Sequence, residues 1–147
     1  MNEIKYQAYP ANLAWRALAL IYDAIACIAI WFVVSGLWLL VMMGNTVAPD
    51  SILAWLMFLS LWAGPGLYAV MSWRRGGQTL GMRPWQLKVL QTDGTIASKK
   101  ALMLRYVVGT FSLALFGLGF LWILIDPQQR SWHDIASKTQ CYRLKPL

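Results

Sequence analysis

The chain has 147 residues, 59% of them hydrophobic and only 13% charged, a balance that excludes an ordinary water-soluble domain of this size. Its net charge of +7 comes from basic residues that flank apolar runs instead of forming one stripe, so anionic lipid headgroups are the expected counter-charge and nucleic acid is excluded. Two cysteines (Cys27 mid-span, Cys141 in a polar tail) and a single histidine, His133, leave no disulfide framework and no metal cluster, and no cofactor is expected.

Residues 1–15 are polar and aromatic, with Tyr6, Tyr9 and Trp15 read as interfacial anchors. The first membrane span is expected over about residues 16–43. Its apolar run, Ala17 to Met43, carries one charge, Asp23. At 27 residues that run exceeds the roughly 20 a span needs, so the helix tilts or its first turns lie within protein. It is also too long for a signal-peptide core, and Ala24-Ile25-Ala26-Cys27 resembles a lipoprotein cleavage box only faintly. The alanines at 14, 17, 19, 24, 26 and 29 permit close packing within a bundle or between copies.

Gly44 to Ser51 forms a turn with no Lys or Arg. A second span follows over 52–73, with Gly64-Pro65-Gly66 expected to kink it and Gly76-Gly77 to stop it. The loop 74–104 and its border at Arg105 hold seven of the thirteen basic residues. Within it, Trp85 to Thr92 alternates like a short strand and meets a turn at Asp93-Gly94, and Ser98 is placed to cap the next helix. A third apolar segment covers about 105–125, broken at Gly117-Leu118-Gly119. A polar tail, 126–147, carries a second possible strand over Thr139 to Leu144.

The contrast between the loop 44–51, without basic residues, and the loop 74–104 places the former outside and the latter, with the N-terminus, in the cytoplasm. Two readings of the third segment remain. A single crossing puts four basic tail residues outside, against that rule. A re-entrant helical hairpin returns the tail to the cytoplasm, where its strand can pair with the one near residue 88. The expected fold is therefore an all-α membrane protein with two transmembrane helices, a third segment that is a re-entrant hairpin or a third span, and a short cytoplasmic β-hairpin-like pairing.

Three stretches resemble one family. The first is Arg16-Ala17-Leu18-Ala19-Leu20-Ile21-Tyr22-Asp23. The second is Gly77-Gln78-Thr79-Leu80-Gly81-Met82-Arg83, followed by Leu87-Lys88-Val89 and Asp93-Gly94. The third is Asp126-Pro127-Gln128-Gln129-Arg130 followed by Trp132-His133-Asp134-Ile135-Ala136-Ser137-Lys138-Thr139. In order and at these spacings they resemble the RDD family of bacterial membrane proteins, named for an arginine and two aspartates, here Arg16, Asp23 and Asp134. The resemblance covers roughly residues 11–145. It implies a multi-pass domain of the bacterial inner (plasma) membrane, with transport of an unidentified ligand the usual suggestion and cation/proton antiport suggested for some relatives.

Arg16 and Asp23 are seven apart, on one helix face but roughly 10 Å apart along the axis, so each needs a partner from elsewhere. Asp134 suits Arg16, since a carboxylate matches a guanidinium, and that pairing favours the hairpin. An unpaired Asp23 within the membrane costs ~2.5–3.5 kcal/mol even on a lenient scale. Arg105 is its candidate ionic partner, and Tyr22, Thr79 and Tyr106 offer hydroxyls. Gln78, Asp126 and His133 are further supporting polar residues. The trio reads first as polar glue that locks three segments, second as a proton- or cation-handling site at Asp23, and third as a site that recognises a partner protein or a lipid headgroup. The glycines of Gly77 to Gly81 permit a tight turn and do not form a phosphate loop. Trp15, Trp73, Trp85 and Trp132 are placed near membrane boundaries.

Function divides accordingly. One reading is a transporter or transporter subunit with Asp23 as the ion-sensitive group. The other is a non-catalytic accessory or scaffold protein. No enzyme is expected, because the chain lacks a nucleophile elbow, metal ligands and a carboxylate cluster. Two or three spans are too thin to enclose a pathway, so a homo-oligomer or a larger membrane partner is expected in either case.

Overall fold

The computed structural model describes residues 6–146. A strand β1 (Tyr6–Pro10) leads into the long helix α1 (Leu13–Val41), and a turn leads back through α2 (Ile52–Gly76). Strand β2 (Leu87–Gln91) precedes α3 (Lys99–Ala114), a short α4 (Leu118–Leu121) continued by a 3₁₀ turn over Trp122–Leu124, α5 (Trp132–Ser137) and β3 (Thr139–Pro146). Helix makes up 60% of the described residues.

The helix ends follow local chemistry. Asn12, Ser51, Ser98 and Ser131 each accept a backbone N–H of the first turn, at Trp15, Ala54, Ala101 and Asp134. Gly77, in the left-handed region at φ 71°, ends α2 as its position after Arg74-Arg75 suggests. Pro65 does not interrupt α2. It has no N–H for the carbonyl of Leu61 four residues back, and the indole N–H of Trp31 on α1 takes that carbonyl at 2.8 Å. Trp38 ties the same pair of helices through Ser60 at 2.8 Å. Gly66 is needed for a close approach, because a Cβ there would stand 2.6 Å from the ring of Tyr106 on α3.

α1 and α2 are each long and apolar enough to cross a membrane, and their flanks are bare: Phe32, Leu40 and Ile52 are each more than 70% exposed. Apolar surface on that scale has lipid, not water, as its solvent. α3 and the α4 segment bend by 106° at Leu115–Gly117, which counts as a third span only if the pair is taken as one broken helix. After the bend the chain returns to the end where α1 begins and α2 stops. There β3 lies between β1 and β2, antiparallel to both.

The pairing of β2 with β3 has Val89 opposite Cys141, as the two alternating stretches suggested. The third strand, β1, occupies a stretch read as interfacial anchors. Tyr9 pairs with Arg143 in the sheet, while residues 1–5 lie outside the described residues. Cys141 belongs to no loose tail: it is buried with Leu87, Val89, Ala11 and Leu102 beneath the sheet. Trp15, Trp73 and Trp85 gather around this core, with Arg143 stacked 3.8 Å above the Trp15 ring, so they pack on protein as well as mark a boundary.

Candidate functional site

Asp134 sits in the first turn of α5, whose capping box fixes it. Ser131 accepts from its backbone N–H, and the Asp134 carboxylate accepts from the Ser131 N–H at 3.0 Å. The same carboxylate receives Nη1 of Arg16 on one oxygen and Nη1 of Arg105 on the other, both as buried ion pairs. Arg16 is otherwise saturated. Its Nε donates to the Ala11 carbonyl at 2.8 Å, and its Nη2 to the carbonyls of Gln129 at 3.0 Å and Cys141 at 3.4 Å. One side chain thus ties α1 to the β1–α1 junction, the segment before α5 and β3.

Arg105 is used unequally. Its Nη1 also reaches the Thr139 hydroxyl at 2.9 Å, but its Nε is buried without a partner. Its guanidinium lies 5.5 Å from the centroid of the Trp73 ring. Two guanidiniums against one carboxylate leave the cluster with one positive charge in excess. Burial by itself raises the Asp134 carboxyl, but Arg105 and Arg16 outweigh it and hold it well below the usual carboxylate range.

His133, beside Asp134, is buried against Phe120 with ring centroids 4.5 Å apart, and its Nδ1 has no partner. Burial, and next the charge of Arg105, push its imidazole down to about 3, so the ring is neutral at physiological pH. Asp126 pairs with Arg130 at 3.0 Å and makes no ion pair with the cluster. Gln78 lies on a separate small pocket with Arg75 and Arg83.

Arg105 is therefore not the partner of Asp23. Asp23 accepts from the Thr79 hydroxyl, the Tyr68 hydroxyl at 2.9 Å and the Gly81 backbone N–H at 2.9 Å. No cationic side chain among the described residues forms a salt bridge with it. Of the hydroxyls expected there, Thr79 is present. Tyr22 instead stacks edge-on with Trp85, and Tyr106 donates to the Trp62 carbonyl at 2.7 Å. Gly81 makes the contact possible, since a Cβ would meet the Asp23 backbone nitrogen at 2.7 Å and Cγ at 2.8 Å. Tyr68 was not anticipated. Its signal is a polar tip at membrane depth two turns before the glycine stop, and its oxygen also accepts from the Leu80 N–H at 2.9 Å.

α1 and α3 both pack on α2 but make little contact with each other. Between them lies an open cleft of about 520 Å³, apolar along its walls. Asp23 lines one flank. Arg16, Arg105 and His133 line the end closed by the sheet, and Trp31 and Leu61 mark the other end. No group of metal-ligating side chains exists among the described residues.

Residues 10–138 match the family model described as the RDD family, which spans the arginine and both aspartates. Neither a curated protein nor a solved structure shows significant similarity to the chain.

Proposed function

The chain belongs to the RDD family, and from that premise we propose that it is a non-enzymatic transport protein or transport subunit in which Asp23 is the ion-sensitive group. The observation that supports this is the environment of Asp23: a carboxylate within a membrane-length helix, facing an open cleft, held by neutral donors and, among the described residues, by no cation. A carboxylate so placed lowers its cost in lipid by taking a proton or a small cation. Both hydroxyls that touch it can rotate to accept as well as donate, so the loop survives either state. Arg16, Arg105 and Asp134 are assigned a different role. Their buried ion pairs lock α1, α3 and α5 together, and exchange of a proton there would break the fold.

The body is thin. Two spans and a bent segment enclose no pathway, so transport requires further copies of the chain or a larger membrane partner. The membrane is taken to be the inner one, with the sheet, the N-terminus and the basic loop on the cytoplasmic side.

The test is flux in proteoliposomes. Asp23→Asn keeps the shape and most hydrogen bonds, and is expected to abolish proton- or sodium-linked flux while the thermal midpoint stays near wild type. Equal flux in both proteins, or none in either, removes this reading and leaves the accessory-subunit role. That role is marked instead by a stoichiometric partner that co-purifies in mild detergent.

A further inference from the structure

Arg16 and Arg105 face the same carboxylate, yet Arg16 spends every nitrogen on protein acceptors, whereas Arg105 donates through Nη1 alone. The unpartnered Nε of Arg105 and the unpartnered Nδ1 of His133 belong to residues that are each at least 95% buried, and both residues line the closed end of the cleft. A buried polar atom without a partner is costly, and native proteins rarely leave one. Two such groups beside a surplus positive charge mark a place for an anion.

The rest of the cleft selects the anion's other end. From Arg16 to Trp31 is fifteen residues of α1, roughly 22 Å at ~1.5 Å per residue. Along it the lining is mainly apolar, with Ala24, Ile28, Leu61, Pro65 and Leu113, and Asp23 stands on one flank. The cleft opens between α1 and α3, toward the apolar flanks that lipid covers.

We propose that the cleft binds a single-chain amphipathic anion. Its carboxylate or phosphate head sits at Arg105 and His133, and its hydrocarbon chain lies between α1 and α3 over α2. The head balances the excess charge of the arginine–aspartate cluster, and a neutral His133 donates one hydrogen bond to it. The chain fills a groove that otherwise holds disordered lipid tails. The site does not depend on ion exchange at Asp23, so its failure leaves the flux assay unaffected.

The experiment uses the full-length protein, stripped of lipid and reconstituted in nanodiscs of phosphatidylcholine, titrated with cis-parinaric acid. This conjugated fatty acid accepts energy from tryptophan, and Trp62 and Trp73 line the cleft. Saturable transfer is expected, with its methyl ester at least tenfold weaker. Competition by unlabelled palmitate and by hexadecyl phosphate then tells a carboxylate head from a phosphate head. Gly109→Leu is the second arm. A Cβ at Gly109 has only His133 Nδ1 near it, at 4.0 Å, and Gly109 lines the cleft, so a leucine can be accommodated there at the cost of the cleft's space. It should abolish saturable transfer and leave the thermal midpoint within a few degrees.

Equal affinity for acid and ester overturns the proposal, because the head then contributes nothing. Binding that persists in Gly109→Leu overturns it, because the cleft is then not the site. A change in oligomeric mass in Gly109→Leu, without saturable binding in wild type, assigns the cleft to a second copy of the chain and overturns it as well. Should Gly109→Leu fail to fold, the comparison of acid with ester on the wild-type protein decides alone.

Discussion

Arg16 and Asp134, 118 positions apart in sequence, form a buried ion pair that joins the first turns of α1 to the first turn of α5. Arg105 pairs with the other oxygen of the same carboxylate. The three substitutions that dismantle this cluster should therefore rank in a definite order. Asp134→Asn leaves two guanidiniums buried without a counter-charge and is expected to cost the most, about 3–5 kcal/mol. Arg16→Met leaves a balanced Arg105–Asp134 pair but strands the carbonyls of Ala11 and Gln129, a loss of about 1–3 kcal/mol for unsatisfied acceptors. Arg105→Met leaves the Arg16–Asp134 pair neutral and the Thr139 hydroxyl still bonded to that of Ser137, so it should be the mildest. Urea or thermal unfolding in one mild detergent measures all three. Equal losses would show that the charge count does not govern the cluster.

Two groups next to each other make stability fall with acid, in successive windows. His133 titrates at about 3 when folded against an ordinary value of 6.5, so the unfolded chain binds its proton first. Stability contributed by the neutral ring is complete above pH 6.5 and declines as the pH falls toward 3. Between pH 6.5 and 4.5 the loss is on the order of 2–3 kcal/mol. Asp134 adds a second loss. Its folded carboxyl lies below its ordinary value of 3.8, so its contribution is present above that pH and erodes below it. His133→Asn should flatten the profile above pH 4.5 and leave the acid limb in place. Thermal midpoints recorded every half unit of pH test this, and an unchanged slope in the variant would refute it.

The parts legible in the sequence are those governed by composition and charge pairing. The two long apolar runs, the capped start of α3 and the glycine end of α2 follow from residue type alone. The match of Arg16 to Asp134 was legible once the family resemblance singled out those two residues, because a buried guanidinium needs a carboxylate. The partner of Arg105 was not legible. Spacing along the chain gives depth in the membrane but not rotation about the helix axis, and Arg105 turns toward α5 instead of α1. Thr79 was within reach as a donor to Asp23, since the glycines around it permit a close turn. Tyr68 was not, because nothing in a span this apolar marks which face meets α1. β1 was hidden for another reason. Tyr6–Pro10 is five residues long and ends in proline, and it becomes a strand only because β3 offers it an edge.

Gly81 and Gly36 offer a contrast that isolates the close approach at Asp23. A Cβ at Gly81 would fall within 3 Å of the Asp23 backbone and carboxyl carbon, whereas one at Gly36 meets nothing within 4 Å. Gly81→Ala should push the loop off α1, break the bonds from Thr79 and the Gly81 N–H, and destabilise by about 1–3 kcal/mol, the usual cost of overpacking. Gly36→Ala should be neutral or stabilise α1 by about 0.5–1 kcal/mol, as expected for alanine in a helix interior. Paired thermal melts suffice. A harmless Gly81→Ala would mean that the loop does not need to touch Asp23.

The side of the membrane on which β3 lies follows from the same ion pair. Had the third apolar segment, about 105–125, crossed the bilayer completely, Asp134 would stand ~30 Å from the start of α1, the thickness of the hydrocarbon core. Contact between Arg16 and Asp134 instead requires β3 and the first turn of α1 to share a side. Cys141 cannot report which, because at 3% exposure it is shielded from reagents on either face. Exposed positions can: Asn45 in the turn between α1 and α2, and Lys145 on β3. In a background carrying Cys27→Ala and Cys141→Ala, a membrane-impermeant maleimide applied to intact spheroplasts should label Asn45→Cys at once. Lys145→Cys should react only after the membrane is opened. Labelling of both from outside would separate Arg16 from Asp134 across the bilayer, and the bend at Leu115–Gly117 would then belong to a broken span instead of a re-entrant turn.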